Sequence, residues 1–225
     1  MSAEALRGLL LVGSGGFGRE VAEAVRAANA HRPAWRMLGF LDDDPSTHGR
    51  VVGGVPVLGP AEAVHDHASA LVVLCTGHPG NYASRRAIAK RLELDDDRYA
   101  TVVHPGATVG STCTVGVGSV LLAHVDVTAD AEIGRHVAVM PQVVVTHDGR
   151  IGDFATLASG VRLGGGCRVG AGAYVGSGAC LRENLAIGPR AMIGMGSVVT
   201  RDVPPDRLWF GAPATDRAPA PSPHR

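Results

Sequence analysis

The chain has 225 residues, with 21 basic and 21 acidic side chains and a formal net charge of zero. This length allows one large or two modest domains. The balanced charge argues against nucleic acids and anionic membranes as partners, because both select basic surfaces. No apolar run approaches the roughly eighteen residues needed to span a bilayer, and we therefore expect a soluble, cytoplasmic protein.

The first hundred residues are predicted to alternate strands and helices. A buried strand over residues 7–12 is followed by a glycine-rich turn at residues 13–18 and by a helix over about residues 19–26. In this context a GxGxxG pattern has a physical meaning, because backbone N–H groups at a helix N-terminus can hold a phosphate. Further strands are predicted over residues 37–41, 70–75 and 99–103, with a second helix over about residues 82–92.

The residues that follow these strands form a predicted nucleotide site. Asp42 and Asp43 end the second strand, and their carboxylates could accept hydrogen bonds from a ribose or a base. The third strand runs into Thr76 and Gly77. The predicted substrate-binding residues are Gly13, Ser14, Gly15, Gly16, Phe17, Asp42, Asp43 and Gly77.

The sequence of this N-terminal region leaves three interpretations open. A Rossmann domain would bind NAD, but the unit stops near residue 100, which is about half the size of the doubled fold that spans a dinucleotide. A single half suits one nucleotide, such as the UDP or GDP of a nucleotide sugar, and we favour this interpretation. A degenerate domain with a structural role is the third. We therefore expect no bound NAD.

From Val103 to Val199 every sixth residue is aliphatic, and glycine often follows it directly. A period of six is typical of a parallel β-helix. Three faces of six residues make an eighteen-residue coil, so residues eighteen apart should stack in columns. One such column is Val109, Val127, Val145, Leu163, Leu181 and Val199. A prism this narrow has no room for rings, in agreement with only 4% aromatic residues, and glycine is expected to supply the unusual dihedrals at its corners.

One histidine at a predicted corner is a candidate for catalysis. His147 lies two residues after Val145 and is followed by Asp148. Its neighbours one coil away are Ala129 and Gly165, so open space should lie beside the imidazole. Asp148 could orient the ring or raise its basicity, which suits a general base.

The other histidines and the cysteines give no metal-binding pattern. A solvent-exposed corner histidine without a role is the alternative for His147 and our expectation for His124 and His136. The four cysteines show no CxxC spacing, so no metal is expected. Cys113 and Cys167 occupy small inward positions of the repeat and are predicted to be reduced core residues.

These parts occur together in the sugar O-/N-acyltransferase family, which includes UDP-4-amino-sugar N-acetyltransferases of the bacillosamine pathway and sialic acid O-acetyltransferases. The chain resembles that family over about residues 7–214. The matching stretches are VGSGGFGRE (12–20), GFLDD (39–43), VGGVPVLG (52–59), VHP (103–105), THD (146–148), IGD (151–153), GSVVTRDVP (196–204) and GAPA (211–214).

The resemblance implies an N-terminal α/β Rossmann-like half-domain followed by a left-handed parallel β-helix of hexapeptide repeats. We expect the nucleotide-sugar-binding domain to cover residues 1–102 and the acyltransferase β-helix to cover residues 103–214. The Pro-rich tail over residues 215–225 is expected to be disordered.

The resemblance also implies roles for individual residues. His147 would be the general base, Asp148 its carboxylate partner, and the Gly165 N–H the donor to the thioester carbonyl. Coenzyme A would lie in a groove between two prisms of a homotrimer. The contacts implied for it are Met140, Thr156, Gly165, Gly176, Ser177, Gly194 and Met195. The chain departs from the family at Phe17, Met140 and Gly149, where histidine, asparagine and cysteine often occur, and at Thr156, where some members have histidine.

We interpret the chain as an acyltransferase that moves acetyl from acetyl-CoA to the amine of a nucleotide-linked amino-sugar. O-acetylation of a sialic-acid-type sugar, a longer acyl donor and a non-catalytic sugar-nucleotide-binding scaffold are the alternatives. The trimer has a physical argument as well: His147 on an outer corner has no wall from its own chain, and closed threefold symmetry supplies one. The expected partners are thus a nucleotide-sugar acceptor and further copies of the chain.

Overall fold

A computed structural model describes residues 6–221. The first part of the chain holds five strands and two helices: β1 (Arg7–Val12), α1 (Gly16–His31), β2 (Trp35–Leu41), β3 (Val51–Val52), β4 (Val55–Gly59), β5 (Leu71–Leu74) and α2 (Ser84–Leu92). Short 3₁₀ helices cover Pro45–Thr47, Ala61–His67 and Asp96–Arg98. The strands form one sheet in the order β3-β4-β2-β1-β5, in which only β3 pairs antiparallel.

Helix α1 forms because one of its faces is apolar. Val21, Ala22, Ala24 and Val25 are buried, and the opposite face is polar. The helix is longer than predicted and ends at His31, because Pro33 restricts the preceding residue to an extended conformation.

The turn before α1 needs glycine for two different reasons. Gly13 has a φ of +107°, which side chains disfavour. Gly18 lies against the turn so closely that an added Cβ would be 2.0 Å from the Gly13 carbonyl oxygen. The last glycine of the pattern therefore lets the first turn of the helix pack on the end of β1.

The β3–β4 hairpin is absent from the sequence-based prediction. Its turn is Gly53-Gly54, with φ of +54° and +76°. Two consecutive glycines between apolar runs are a known signal for a tight hairpin, so this element was recognisable. The strand predicted over residues 99–103 is shorter than expected, because Tyr99 makes only an isolated bridge with Val72.

The second part of the chain is a prism of three parallel sheets, mostly built from two-residue strands. Face 1 contains β6 (Val102–Val103), β9 (Val120–Leu121), β12 (Ala138–Val139), β15 (Thr156–Leu157), β18 (Tyr174–Val175), β21 (Met192–Ile193), β23 (Arg207–Gly211) and β24 (Ala214–Pro219). Face 2 contains β7 (Thr108–Val109), β10 (Asp126–Val127), β13 (Val144–Val145), β16 (Arg162–Leu163), β19 (Cys180–Leu181) and β22 (Val198–Val199). Face 3 contains β8 (Thr114–Val115), β11 (Glu132–Ile133), β14 (Arg150–Ile151), β17 (Arg168–Val169) and β20 (Ala186–Ile187).

Residues eighteen apart pair along each face. On face 2, Val127 pairs with Val145 and Val145 with Leu163, and the other two faces keep the same spacing. The aliphatic member of each strand points inward and forms one continuous core. The predicted fold, an α/β half-domain followed by a left-handed parallel β-helix, is confirmed.

Contrary to expectation, glycine is not required at every corner of the prism. From residue 118 to residue 196 a positive φ recurs every six residues, and eight of these fourteen positions carry side chains, His124, His136 and Asp148 among them. Such a residue costs about 1 kcal/mol in backbone strain. At twelve of these corners the backbone N–H donates to a carbonyl of the preceding coil, as Asp148 does to Ala129 at 3.0 Å. That bond offsets the strain.

The glycines that directly follow the aliphatic residues meet a different requirement. A Cβ on Gly152 would lie 2.6 Å from the backbone nitrogen of Ala171, and one on Gly170 would lie 2.4 Å from that of Pro189. These glycines therefore allow successive coils to stack closely.

The N-terminal part packs on the outer side of face 1. Val102 and Val120 point outward and share a buried core with Val21 and Val25 of α1. Face 1 is thus covered over its first coils, while faces 2 and 3 present mostly polar residues outward, with Val144 and Val198 of face 2 among the exceptions. No helix in the described residues is long and apolar enough to cross a bilayer.

The tail differs in part from the prediction of disorder. Residues 214–219 form β24, which pairs antiparallel with β23 at the end of face 1. Pairing with an available edge strand orders these residues despite their proline content. Residues 222–225 of the predicted tail lie outside the described residues.

His136 is buried rather than exposed at its corner, contrary to expectation. Its side chain is 1% exposed, stacks on Phe154 with ring centroids 4.9 Å apart and meets the edge of Tyr99 at 4.5 Å. Its Nδ1 has no hydrogen-bond partner among the described residues. Burial, reinforced by Arg135, lowers the pKa of His136 from 6.5 to about 4.

We predict that Gly18→Ala destabilises the protein while Gly15→Ala does not. The new methyl group at Gly18 would overlap the Gly13 carbonyl, whereas a Cβ at Gly15 meets no atom within 4 Å. Overpacking of this kind costs about 1–3 kcal/mol. Urea unfolding of the two variants measures the difference, and equal midpoints would contradict the close contact.

We also predict an acid-sensitive stability that depends on His136. Between about pH 6.5 and pH 4 the unfolded chain takes up a proton that the folded chain does not, so the free energy of unfolding falls as pH falls. From pH 7.5 to pH 5 the loss is about 2 kcal/mol. His136→Phe keeps a planar ring and removes this titration, so its stability should fall by about 2 kcal/mol less over that range. Parallel pH profiles of the two proteins would contradict a role of His136 in this dependence.

Candidate functional site

His147 lies at the corner where the chain passes from face 2 to face 3. The positive φ of Asp148 turns the chain here, so that both side chains project outward, 66% and 64% exposed. Asp148 Oδ2 lies 2.8 Å from Nδ1 of His147. With an Nδ1–H donor this contact fixes the ring and leaves Nε2 free to accept a proton.

The His147 ring lies directly over Gly165 of the next coil. A Cβ on Gly165 would be 2.4 Å from Nε2 of His147, so only glycine leaves room for the ring. The Gly165 carbonyl accepts from the N–H of Asn184, but the Gly165 N–H has no acceptor within residues 6–221. A free N–H donor and a free ring nitrogen therefore occupy the same small region.

These groups line a shallow depression of about 350 Å³. Its other walls come from residues that sequence reasoning did not single out, namely Arg150, Gly166, Arg168, Glu183 and Asn184. Arg150 forms an ion pair with Glu132 on the neighbouring coil. Charged outward residues are common along the prism, so nothing in the sequence separated these from the rest.

Four of the predicted coenzyme A contacts lie at a different corner. Gly176, Ser177, Gly194 and Met195 lie where face 1 passes into face 2 on the last coils, and Met195 is 80% exposed. Within one chain they are at a different corner of the prism from His147.

Met140 and Thr156 are placed differently from the prediction. Thr156 is 5% exposed, and its hydroxyl accepts a hydrogen bond from Arg85 at 2.8 Å. Met140 packs half-buried against the core of the N-terminal part. Both residues belong to the covered section of face 1, where Thr156 is nearly enclosed and Met140 keeps part of its side chain exposed.

A second cavity, of about 590 Å³, opens at the carboxyl ends of β1, β2 and β5. Four predicted substrate-binding residues line it: Gly13, Asp42, Asp43 and Gly77. The loop before α2 and α2 itself add Thr76, His78, Asn81, Ser84 and Arg91, which the sequence analysis did not assign. Ligands of open α/β sheets bind at this edge.

The carboxylates of this cavity are already engaged by the protein. Asp42 Oδ2 accepts from the backbone N–H and the hydroxyl of Ser14, at 2.7 and 2.6 Å. Partial burial alone would raise the pKa of Asp42, but these bonds and one from Asp44 outweigh it and hold the pKa below its usual value. Asp43 accepts from Arg91 at 2.6 Å. The two carboxylates thus shape the wall of the cavity.

The remaining predicted residues of the turn divide into two groups. Gly15 and Gly16 are exposed at the start of α1, and added Cβ atoms there would meet no atom within 4 Å. The backbone at the start of the helix is therefore uncovered, and a helix N-terminus favours an anion. Phe17 instead packs half-buried against the N-terminal core, so its ring supports the helix and does not face a ligand.

The cysteines are all free, with Cys167 buried and Cys113 half-buried on the prism core as predicted. Within residues 6–221 no three His, Cys, Asp or Glu side chains gather as a metal site would require.

The two sites lie on opposite sides of the prism. The N-terminal part covers face 1, and His147 lies at the corner between faces 2 and 3, which is the corner opposite face 1. The cavity of one chain therefore does not open toward the His147 of the same chain.

Comparison with known proteins matches residues 8–92 to the family described as PglD N-terminal domain. A UDP-N-acetylbacillosamine N-acetyltransferase from Bacillus subtilis (strain 168) is 34% identical over 120 residues, which cover 52% of each chain. The chain spans about half the length of the curated relatives it matches.

Two solved structures resemble the whole chain. The acetyltransferase domain of PglB from Neisseria gonorrhoeae FA1090, in complex with acetyl coenzyme A, has a TM-score of 0.84 at 29% identity, covering 95% of this chain and 100% of that one. A histidine-to-alanine mutant of GDP-perosamine N-acetyl transferase from Caulobacter crescentus, in complex with CoA and GDP-perosamine, has a TM-score of 0.83 at 28% identity, covering 96% and 100%. Over most of its length the chain is therefore similar in sequence and fold to N-acetyltransferases solved with acetyl coenzyme A or with CoA and GDP-perosamine.

Proposed function

We propose that the protein transfers an acetyl group from acetyl-CoA to the amine of a nucleotide-linked amino-sugar. The observation that carries this proposal is the His147–Asp148 pair held over the bare backbone of Gly165. It places a proton acceptor beside a hydrogen-bond donor for the thioester carbonyl oxygen. Acyl transfer to an amine requires both groups.

In the proposed reaction His147 Nε2 accepts a proton from the amine as its nitrogen attacks the thioester carbonyl. The new C–N bond forms, the C–S bond breaks, and the CoA thiolate leaves and takes up a proton. Asp148, 2.8 Å from Nδ1, stabilises the imidazolium that forms. The Gly165 N–H, which has no other acceptor in the described part of the chain, donates to the developing oxyanion.

The N-terminal cavity is the proposed nucleotide-sugar site. The open N-terminus of α1 at Gly15 and Gly16 suits a diphosphate, since helix N-terminal N–H groups favour anions. The wall at Asp42, Asp43 and Gly77 suits the nucleoside. In this assignment residues up to about 102 bind the nucleotide sugar and residues from about 103 carry the acyl transfer. The relatives solved with CoA and GDP-perosamine support the same pair of ligands.

The active form is proposed to be a homotrimer. His147 lies at the corner opposite the face that carries its own nucleotide cavity, so an acceptor held in that cavity needs the His147 of another copy. Acetyl-CoA would lie between two prisms, along the corner of Gly176, Ser177, Gly194 and Met195. Closed threefold symmetry completes three equal sites.

We predict that His147→Ala lowers kcat for acetyl transfer by about 10²–10⁴-fold, the usual contribution of a general base. Asp148→Asn should lower kcat about tenfold, because it removes one charged hydrogen bond. The measurement is thiol release from acetyl-CoA with UDP-, GDP- and dTDP-amino-sugars as acceptors. His31→Ala, at the exposed C-terminal end of α1, is the control and should keep full activity. Full activity of His147→Ala would overturn the mechanism, and turnover only with hydroxyl acceptors would overturn the amine.

We predict that two inactive variants restore activity when they are mixed. Gly16→Asp places a carboxylate in open space at the start of α1, where it should repel a diphosphate without disturbing the fold. Refolding equal amounts of Gly16→Asp and His147→Ala together should give about a quarter of wild-type activity if each site uses two copies. Light scattering should give three times the chain mass of 23.1 kDa. No recovery on mixing, or a monomer, would contradict the shared site.

A further inference from the structure

Arg85 is the largest fully buried side chain of the protein, at 1% exposure. It lies in the first turn of α2, and its guanidinium contacts no carboxylate among the described residues. Burial lowers the pKa of Arg85 to about 10, so the group remains a cation at neutral pH. A buried cation without an acidic partner costs free energy that an apolar residue at this position would not.

The guanidinium instead donates to oxygens of three chain segments. Nε donates to the His136 carbonyl at 3.0 Å, and Nη1 to the Thr76 carbonyl at 2.7 Å. Nη2 donates to the carbonyls of Phe154 and Ala155 and to the Thr156 hydroxyl, at 2.8 to 3.1 Å. These directional bonds fix the orientation of the planar guanidinium. They thereby also fix how the three chain segments lie relative to one another.

On one side these bonds hold the wall of the nucleotide cavity. Thr76 and Gly77 line that cavity, and the Thr76 hydroxyl also accepts from Ser84 at 2.9 Å. Gly77 has a φ of +127°, and a Cβ there would lie 2.5 Å from Nη1 of Arg85. The loop thus keeps its shape around the guanidinium.

On the other side the bonds reach two successive coils of the prism. The carbonyls of His136 and Phe154 lie at stacked corners between face 3 and face 1, and His147 lies on the chain between them. The coils are hydrogen-bonded to each other throughout, so the prism is a rigid frame for the base. Ile88 and Leu92 of α2 instead pack in the core of the N-terminal sheet through apolar contacts.

We propose that Arg85 is a positioning residue that sets the nucleotide cavity at a fixed place relative to the prism that carries the catalytic base. The inference rests on the proposed function, because it assumes that an acceptor in the cavity must reach a His147. Misplacement of a bound acceptor by about 1 Å lowers the rate of reaction by about 10²-fold.

The test compares Arg85→Met and Arg85→Lys with Arg86→Met, a matched change at the exposed neighbouring arginine. We expect both Arg85 variants to lower kcat with the nucleotide amino-sugar by about 10- to 100-fold. The KM for acetyl-CoA and the trimer mass should stay as in the wild type, and Arg86→Met should be unchanged. A folded, trimeric Arg85→Met with kcat within threefold of wild type would overturn the proposal.

A second variant keeps the test decisive if Arg85→Met fails to fold. Thr156→Val removes one of the bonds and leaves the rest, so it should lower kcat several-fold at an unchanged KM for acetyl-CoA. Full activity in this variant together with an unfolded Arg85→Met would assign Arg85 to stability alone and overturn the proposal. Amide hydrogen exchange of residues 76–81 should be faster in both variants. If the wild type transfers no acetyl group, the proposed function fails, and unchanged exchange would separately overturn the role of Arg85.

Discussion

The close stacking of one coil on the next is the constraint from which the rest of this structure follows. Backbone atoms of adjacent coils approach so closely at Gly152 and Gly170 that no side chain fits there. Parallel pairing at the ordinary β spacing then holds residues eighteen apart in register. The same register places His147 over Gly165, which belongs to the next coil of the same column. The chemistry of the corner is therefore a consequence of the repeat.

The prism was predictable from the sequence because it depends only on a regular spacing of residues along the chain. An aliphatic residue every sixth position specifies which side chains point inward, and the observed pairing follows that period throughout. The same signal says only that the remaining residues point outward. It does not say which outward residues another part of the chain will cover. His136 was expected to be exposed for this one reason, and Thr156 and Met140 likewise lie on or beside the covered section of face 1.

The N-terminal part was predictable at the level of strand, turn and helix, and less so at its cavity. The rule that ligands bind beyond the carboxyl ends of parallel strands selected Asp42, Asp43 and Gly77, and all three line the cavity at that edge. Asn81 and Ser84 follow the same strand end and satisfy the same rule, but polar loop residues are too common to be distinguished by type. Sequence also could not show that Ser14 and Arg91 already bind the two carboxylates, since those bonds join residues far apart in the chain.

Arg85 and the His147–Asp148 pair differ in how far they are buried. Arg85 is enclosed, and its contacts are fixed by the fold of one chain. His147 and Asp148 are about two-thirds exposed, so in a single chain water screens their interaction and competes for the same donors and acceptors. A general base in such a place acquires a dry, defined environment only when substrate and another copy of the chain enclose it. In the proposed trimer the environment of His147 would therefore be a property of the assembly, while the distance from the N-terminal cavity to the prism is a property of each chain.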